Sequence, residues 1–172
     1  SPHGIATPPM PAPAIPPIRS RHGARVRLVH LGRLDPTKGT ALLLRALAAL
    51  GDAPVSLDVF GIVQDEGNEA LSRALRLACA ADARVTFYAP VANSDVVTML
   101  RAYDAVVVPS QWMATGPLVV LESFAAGVPV IGSALGGIAD KVRHDVGGLL
   151  VDPFASVDAW TSALLRCVDE PG

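Results

Sequence analysis

From Arg25 onward, short apolar runs of strand character alternate with segments of helical periodicity, and that alternation leaves few folds open. The strand runs are "RVRLVHL" (25–31), "VSLDVFG" (55–61), "RVTFYA" (84–89), "AVVVPS" (105–110), "VPVIGS" (128–133) and "GGLLVD" (147–152). Helices are expected near 39–50, 67–81, 94–102, 117–126, 136–143 and 155–168. The first of these carries Leu43, Leu44, Leu47 and Leu50 at helical spacing. Runs such as "AVVVPS" are continuously apolar rather than alternating, as a strand must be when helices cover both faces of its sheet. The pattern predicts an α/β fold: a doubly wound, Rossmann-like parallel sheet of about six strands with helices on both faces. Ligands bind such sheets where the carboxyl ends of strands meet helix N-termini, so the segments just after the strands are where chemistry is expected.

A chain of 172 residues, 51% of them hydrophobic, can build one ordinary core without disulfides or a structural metal. The expected division is an extended, Pro-rich arm over residues 1–24, "SPHGIATPPMPAPAIPPIRSRHGA", followed by one domain over 25–172. A proline-rich entry of this kind suggests a partner domain upstream. The net charge of −2 argues against a general nucleic-acid or membrane-surface binder. Cys79 and Cys167 stand far apart with no His or second Cys in ligand spacing, which predicts two core thiols and no metal site. The uncharged stretch Ser123 to Ala139 is broken by Gly and Pro and does not read as a bilayer span. No signal peptide is visible at the start, and the expected location is the cytoplasm.

The stretch "GRLDPTKGT" (32–40) follows the first strand and precedes the first helix. Gly32 permits a tight exit, and Arg33 and Lys38 place two cations beside free helix-start amides and the positive end of the helix dipole. An Arg fork and a mobile Lys charge together suit a diphosphate, although a solvated pair flanking a helix has the same sequence. The order Lys-Gly-Thr fails the phosphate-loop pattern, and the dinucleotide fingerprint G-x-G-x-x-G is absent.

A second constellation is "PSQWMATGPLVVLESFAAGVPVIGSALGG". A polar loop, Ser110 to Gly116, leads to Pro117 in the first turn of a helix whose amides at Leu118 and Val119 would face the cleft. Glu122, with Leu118, Leu121 and Ala125 around it, is costly in so apolar a segment unless it reaches the cleft or pairs internally. In the cleft a carboxylate, which only accepts hydrogen bonds, suits the hydroxyls of a vicinal diol such as a ribose. Trp112 either stacks on a sugar or covers the core. Gly136 and Gly137 permit close backbone approach to a ligand, or simply a turn. His30, inside the first strand, reads as core or cleft wall in preference to a catalytic base.

In this order, Gly32-Arg33-x4-Lys38-Gly39, then "VVVPS", then "PLVVLESFAAGVPVIGSALGGIADKVRHDVGGLLVDP", these pieces resemble the C-terminal, donor-binding domain of the retaining glycosyltransferases of family 4, which have the two-domain GT-B fold. The resemblance spans residues 25–169 and implies that Arg33 and Lys38 bind the diphosphate of a nucleotide sugar and serve catalysis. It implies that Glu122 binds the ribose hydroxyls and that the Leu118 and Val119 amides line the diphosphate and sugar region. Contacts from Trp112, Gly116, Gly136 and Gly137 fall in the same region. The family's E-x7-E motif has its first glutamate where this chain has Ala114, which removes an acceptor for the donor sugar. Asp140 stands where the family commonly has Glu.

The expected function is hexosyl transfer from a nucleoside diphosphate sugar, a UDP or GDP sugar with no residue code to separate the bases, to an acceptor hydroxyl. No cofactor or metal is expected. The partners implied are the sugar donor and an N-terminal acceptor-binding domain of the same protein, through which any membrane contact would run; without that domain the chain is expected to be inactive. The alternatives are a nucleotide-sugar-binding module without transfer, for which Ala114 speaks, and an unrelated α/β nucleotide-binding enzyme.

Overall fold

A strand covered on both faces needs apolar side chains on both sides, and Ala105–Val108 meets that demand with all four residues buried. The computed structural model describes residues 25–31, 39–60, 70, 73, 77, 81–88, 91–109, 118–134, 138, 142, 148–152 and 156–169. The Pro-rich opening and the turn 32–38 lie outside the described residues.

Six strands form one sheet: β1 (Val26–Leu31), β2 (Val55–Phe60), β3 (Val85–Tyr88), β4 (Ala105–Val108), β5 (Val130–Ser133) and β6 (Gly148–Val151). Their order is β3-β2-β1-β4-β5-β6, and every pairing is parallel. Each of the six predicted strand runs holds a strand. Proline sets two of the limits: Pro109 follows β4 and Pro129 precedes β5, and neither has an N–H to give a ladder.

Four helices are described along their length: α1 (Thr40–Ala48), α2 (Val96–Leu100), α3 (Leu118–Ala126) and α4 (Val157–Asp169). A short 3₁₀ turn, Asn93–Asp95, leads into α2, so the predicted helix at 94–102 is split between two geometries. Of the predicted helix at 67–81, Ala70, Arg73, Leu77 and Ala81 are described; all four are helical and exposed, the spacing of one solvent-facing stripe. Ile138 is helical and its carbonyl accepts from the Val142 amide at 3.0 Å.

Side chains alternate across the sheet and so build two cores. On one face Leu28, Leu57, Ala105, Val107 and Ile131 pack with Leu43 and Leu47 of α1 and with Trp160 and Leu164 of α4. On the other, Val29, Phe60, Val106 and Val130 pack with Met99 and Leu100 of α2, Val120 of α3 and Ile138. The Thr161 hydroxyl of α4 donates to the Ala46 carbonyl of α1 at 3.2 Å, tying the two helices of the first face. Cys167 packs, partly buried, at the margin of this core; Cys79 lies outside the described residues.

β2 departs from the fully apolar pattern. Val55, Leu57 and Val59 are buried, whereas Ser56 and Asp58 between them are half-buried, so one face of this strand is partly open to water.

Candidate functional site

The strand order reverses between β1 and β4. Leu28 lies opposite Ala105 and Val29 opposite Val106, and the same register carries Leu31 toward Val108. β1 and β4 therefore end side by side at Leu31 and Val108, and β5 ends on the far side of β4. All three segments singled out in the sequence issue from these adjacent carboxyl ends, at the switch point where doubly wound sheets bind ligands.

The described residues around this point are closely fitted. Gly39, with φ +72°, precedes α1, and its carbonyl accepts from the Leu43 amide at 3.0 Å. A Cβ at this position would collide with the Pro109 carbonyl oxygen. Thr40, the first residue of α1, is 2% exposed, as is His30 in β1. His30 Nδ1 lies 3.0 Å from the Val107 carbonyl oxygen and Nε2 3.0 Å from Thr40 Oγ1. His30 is thus a wall of the region, as its place inside a strand suggested. Ser133, buried at the end of β5, donates to the Val108 carbonyl at 3.5 Å.

Leu118, Val119 and Glu122 are all on α3. Val120 and Ser123 form its buried side, and the Ser123 hydroxyl donates back to the Val119 carbonyl at 2.7 Å. Leu118, Leu121 and Ala125, the apolar neighbours of Glu122 in sequence, are exposed, with Leu118 at 61%. Glu122 occupies the half-buried margin between these two sides, in line with Val119 and Ala126. Burial pushes its carboxyl above the usual glutamate range. Among the described residues no hydrogen bond or ion pair satisfies it, so the internal salt bridge open from sequence is not formed with any of them.

Gly32, Arg33, Lys38, Trp112, Ala114, Gly116, Gly136, Gly137 and Asp140 lie outside the described residues. So do the segment 61–65 and Ala89 and Pro90, which follow β2 and β3. At the end of β3, Tyr88 stacks on Phe60 with ring centroids 4.8 Å apart. Thr40 went unnoticed in the sequence. The available signal was a hydroxyl at the start of a helix with a histidine ten residues before it, and only the fold shows that the two meet.

Among the described residues, no helix is long and apolar enough to cross a membrane. The family model for glycosyl transferases group 1 matches residues 15–171. The D-inositol 3-phosphate glycosyltransferase of Rhodococcus jostii is 38% identical over 152 residues, 83% of this chain and 32% of the relative. The protein of the same name from Salinispora tropica is 37% identical over 150 residues, 83% of this chain and 31% of the relative. The chain thus spans about a third of the length of the curated relatives it matches.

Among solved structures, Anabaena HepE in complex with UDP and glucose is similar with a TM-score of 0.76 and 25% identity, over 85% of this chain and 39% of that one. The sucrose-phosphate synthase of Thermosynechococcus elongatus gives 0.75 and 28%, over 86% and 37%. The same fold recurs in the C-terminal domain of a Francisella tularensis group 1 protein, with a TM-score of 0.70 at 24% identity, over 86% of this chain and 77% of that one. A six-stranded parallel sheet wound in this order, joined to a family match that runs through nearly the whole chain, places the chain in the glycosyl transferases group 1 family, in the part that forms the C-terminal half of a GT-B fold.

Proposed function

We propose that this chain is the donor-binding half of a retaining glycosyltransferase, which moves a hexosyl unit from a nucleoside diphosphate sugar to an acceptor hydroxyl supplied by an upstream domain. The observation that carries the reading is the adjacency of the β1, β4 and β5 exits, which draws the three singled-out segments to one edge of the sheet. A solved relative of the same fold holding UDP and glucose supports it.

In this reading α1 supplies a positive helix end directly after Lys38, and Arg33 and Lys38 add two full charges to it. They neutralise the charge that grows on the departing diphosphate, a stabilisation greatest in the transition state, with no metal ion assigned a part. Glu122, half-buried at the margin of α3, accepts hydrogen bonds from the ribose hydroxyls. The Leu118 and Val119 amides, with Gly32, Gly116, Gly136 and Gly137, line the diphosphate and sugar, and Trp112 packs on the sugar. The protein works in the cytoplasm, and closure of the two domains excludes water from the donor.

Ala114 favours a second reading, a module that binds the donor without transferring it, because a methyl group cannot hold the sugar hydroxyls as a carboxylate does. Ligand-observed NMR with UDP, GDP and ADP tests the first step. One diphosphate is expected to bind, and Arg33→Ala and Glu122→Ala to abolish it; binding unaffected by either substitution would refute the site. Ala114→Glu in the full-length protein separates the two readings, since a large gain in transfer marks the natural site as impaired.

A further inference from the structure

His30 and Thr40 meet in the buried space between β1, β4 and the head of α1. A backbone carbonyl only accepts, so His30 Nδ1 carries the proton and donates it to Val107 at 3.0 Å. Nε2 faces the Thr40 hydroxyl at 3.0 Å. One imidazole therefore ties three elements: its own strand, the neighbouring strand across the switch point, and the first residue of the helix behind the basic turn.

The entry to α1 is held twice. At Gly39 it lies against the Pro109 carbonyl with no room for a side chain, and at Thr40 it is bonded to His30. Lys38 is covalently joined to the first of these fixed residues. A charge meant to meet a phosphate gains from a base that does not move, because each lost restraint must be restored when the ligand binds.

We propose that His30 is a positioning residue for nucleoside diphosphate binding, acting through Thr40 on the placement of Lys38 and the first amides of α1. The inference rests on the donor-binding reading above and adds to it a residue that does not touch the ligand. It makes a specific demand: loss of the His30–Thr40 bond should weaken the grip on the phosphates and leave the grip on the nucleoside alone.

The test measures binding of UDP, GDP and ADP, and of uridine, guanosine and adenosine, to the wild-type chain and to Thr40→Val, Thr40→Ser, His30→Asn and His30→Asn/Thr40→Val. Valine removes the hydroxyl at nearly constant volume, serine retains it, and the asparagine amide can still reach Val107 but not Thr40. For the diphosphate that binds wild type, Thr40→Val and His30→Asn are expected to weaken affinity roughly three- to tenfold. The double variant should be no weaker than the weaker single one, because both remove the same bond. Thr40→Ser should stay within about twofold, and the parent nucleoside should bind all five proteins equally. Diphosphate affinity unchanged in Thr40→Val and His30→Asn would overturn this inference alone, as would equal losses for diphosphate and nucleoside. A wild-type chain that binds none of the three diphosphates would overturn the donor reading and this inference with it.

Discussion

Gly39 lies so close to Pro109 that a Cβ on the glycine would occupy the space of the proline carbonyl oxygen, which locks the entry to α1 against the exit from β4. Two costs follow for any other residue: a φ of +72°, which is strained for an L-amino acid, and overlap with a backbone atom that cannot rotate away. The strain is worth ~1–2 kcal/mol and the overpacking ~1–3 kcal/mol. Gly51 separates the two terms, because its φ is +61° and nothing lies within 4 Å of its absent Cβ. Gly39→Ala is therefore expected to lose more stability than Gly51→Ala by the overpacking term. Urea unfolding of both variants measures the difference, and equal losses would show that the Pro109 contact is soft.

Arg84 closes the other end of α1. Its guanidinium donates to the Leu47 and Gly51 carbonyls at 3.0 and 2.8 Å and grips both carboxylate oxygens of Asp82 at 3.0 and 2.9 Å. Lysine has neither the fork nor the reach for four such bonds, and Arg84→Lys should cost ~1–3 kcal/mol. Arg84 holds the Asp82 carboxyl below its usual range. The sign follows: stability from this pair is complete above the ordinary aspartate value of 3.8 and is lost as pH falls through the lower folded value. Thermal unfolding of both proteins should show a gap that is steady at neutral pH and narrows only in strong acid.

On the partly open face of β2, the Tyr103 hydroxyl donates to Asp58 at 2.6 Å, and the Arg27 guanidinium lies 5.1 Å from the centre of the Tyr103 ring. Burial raises the Asp58 carboxyl above the usual range, and the bond from Tyr103 and the charge of Arg27 only partly offset it. A raised folded value means that this group favours the fold fully below 3.8 and that the advantage is lost as pH rises through the folded value. Asparagine still accepts from Tyr103 and carries no charge to desolvate. Asp58→Asn is expected to match or exceed wild type in Tm at pH 7 and to lose that advantage near pH 4. A variant less stable than wild type at pH 7 would show that the Arg27 attraction outweighs burial.

The sequence carried the strands and the winding because a parallel sheet writes its burial into local runs: "AVVVPS" could hardly be anything but a central strand, and β4 is buried throughout. Contacts made across the switch point left no such trace. His30 and Val107 are 77 residues apart, and Gly39 and Pro109 meet only because β1 and β4 become neighbours through a long crossover. The polar alternation of "VSLD" was visible, yet which face it opened depended on where the helices came to lie. At α3 the apolar residues around Glu122 suggested a buried carboxylate, but Leu118, Leu121 and Ala125 turn outward and the burial comes from the opposite side.

That placement gives Glu122 its own test. A half-buried carboxylate with no partner among the described residues costs the fold something, because burial disfavours its charge. If its purpose is to accept hydroxyls of a ligand, stability and binding should respond in opposite directions. Glu122→Gln is expected to leave Tm unchanged or slightly raised while weakening nucleoside diphosphate binding by about tenfold, the loss typical of a hydrogen bond to a charged group. Acidification should act in the same sense. With its carboxyl raised above 4.5, Glu122 takes up its proton at a higher pH than an ordinary glutamate, and affinity should begin to fall there in wild type but not in the glutamine variant. Calorimetric titrations at several pH values, paired with thermal unfolding, measure both effects. A glutamine variant that loses stability while binding as well as wild type would assign the carboxylate to the fold and remove it from the ribose.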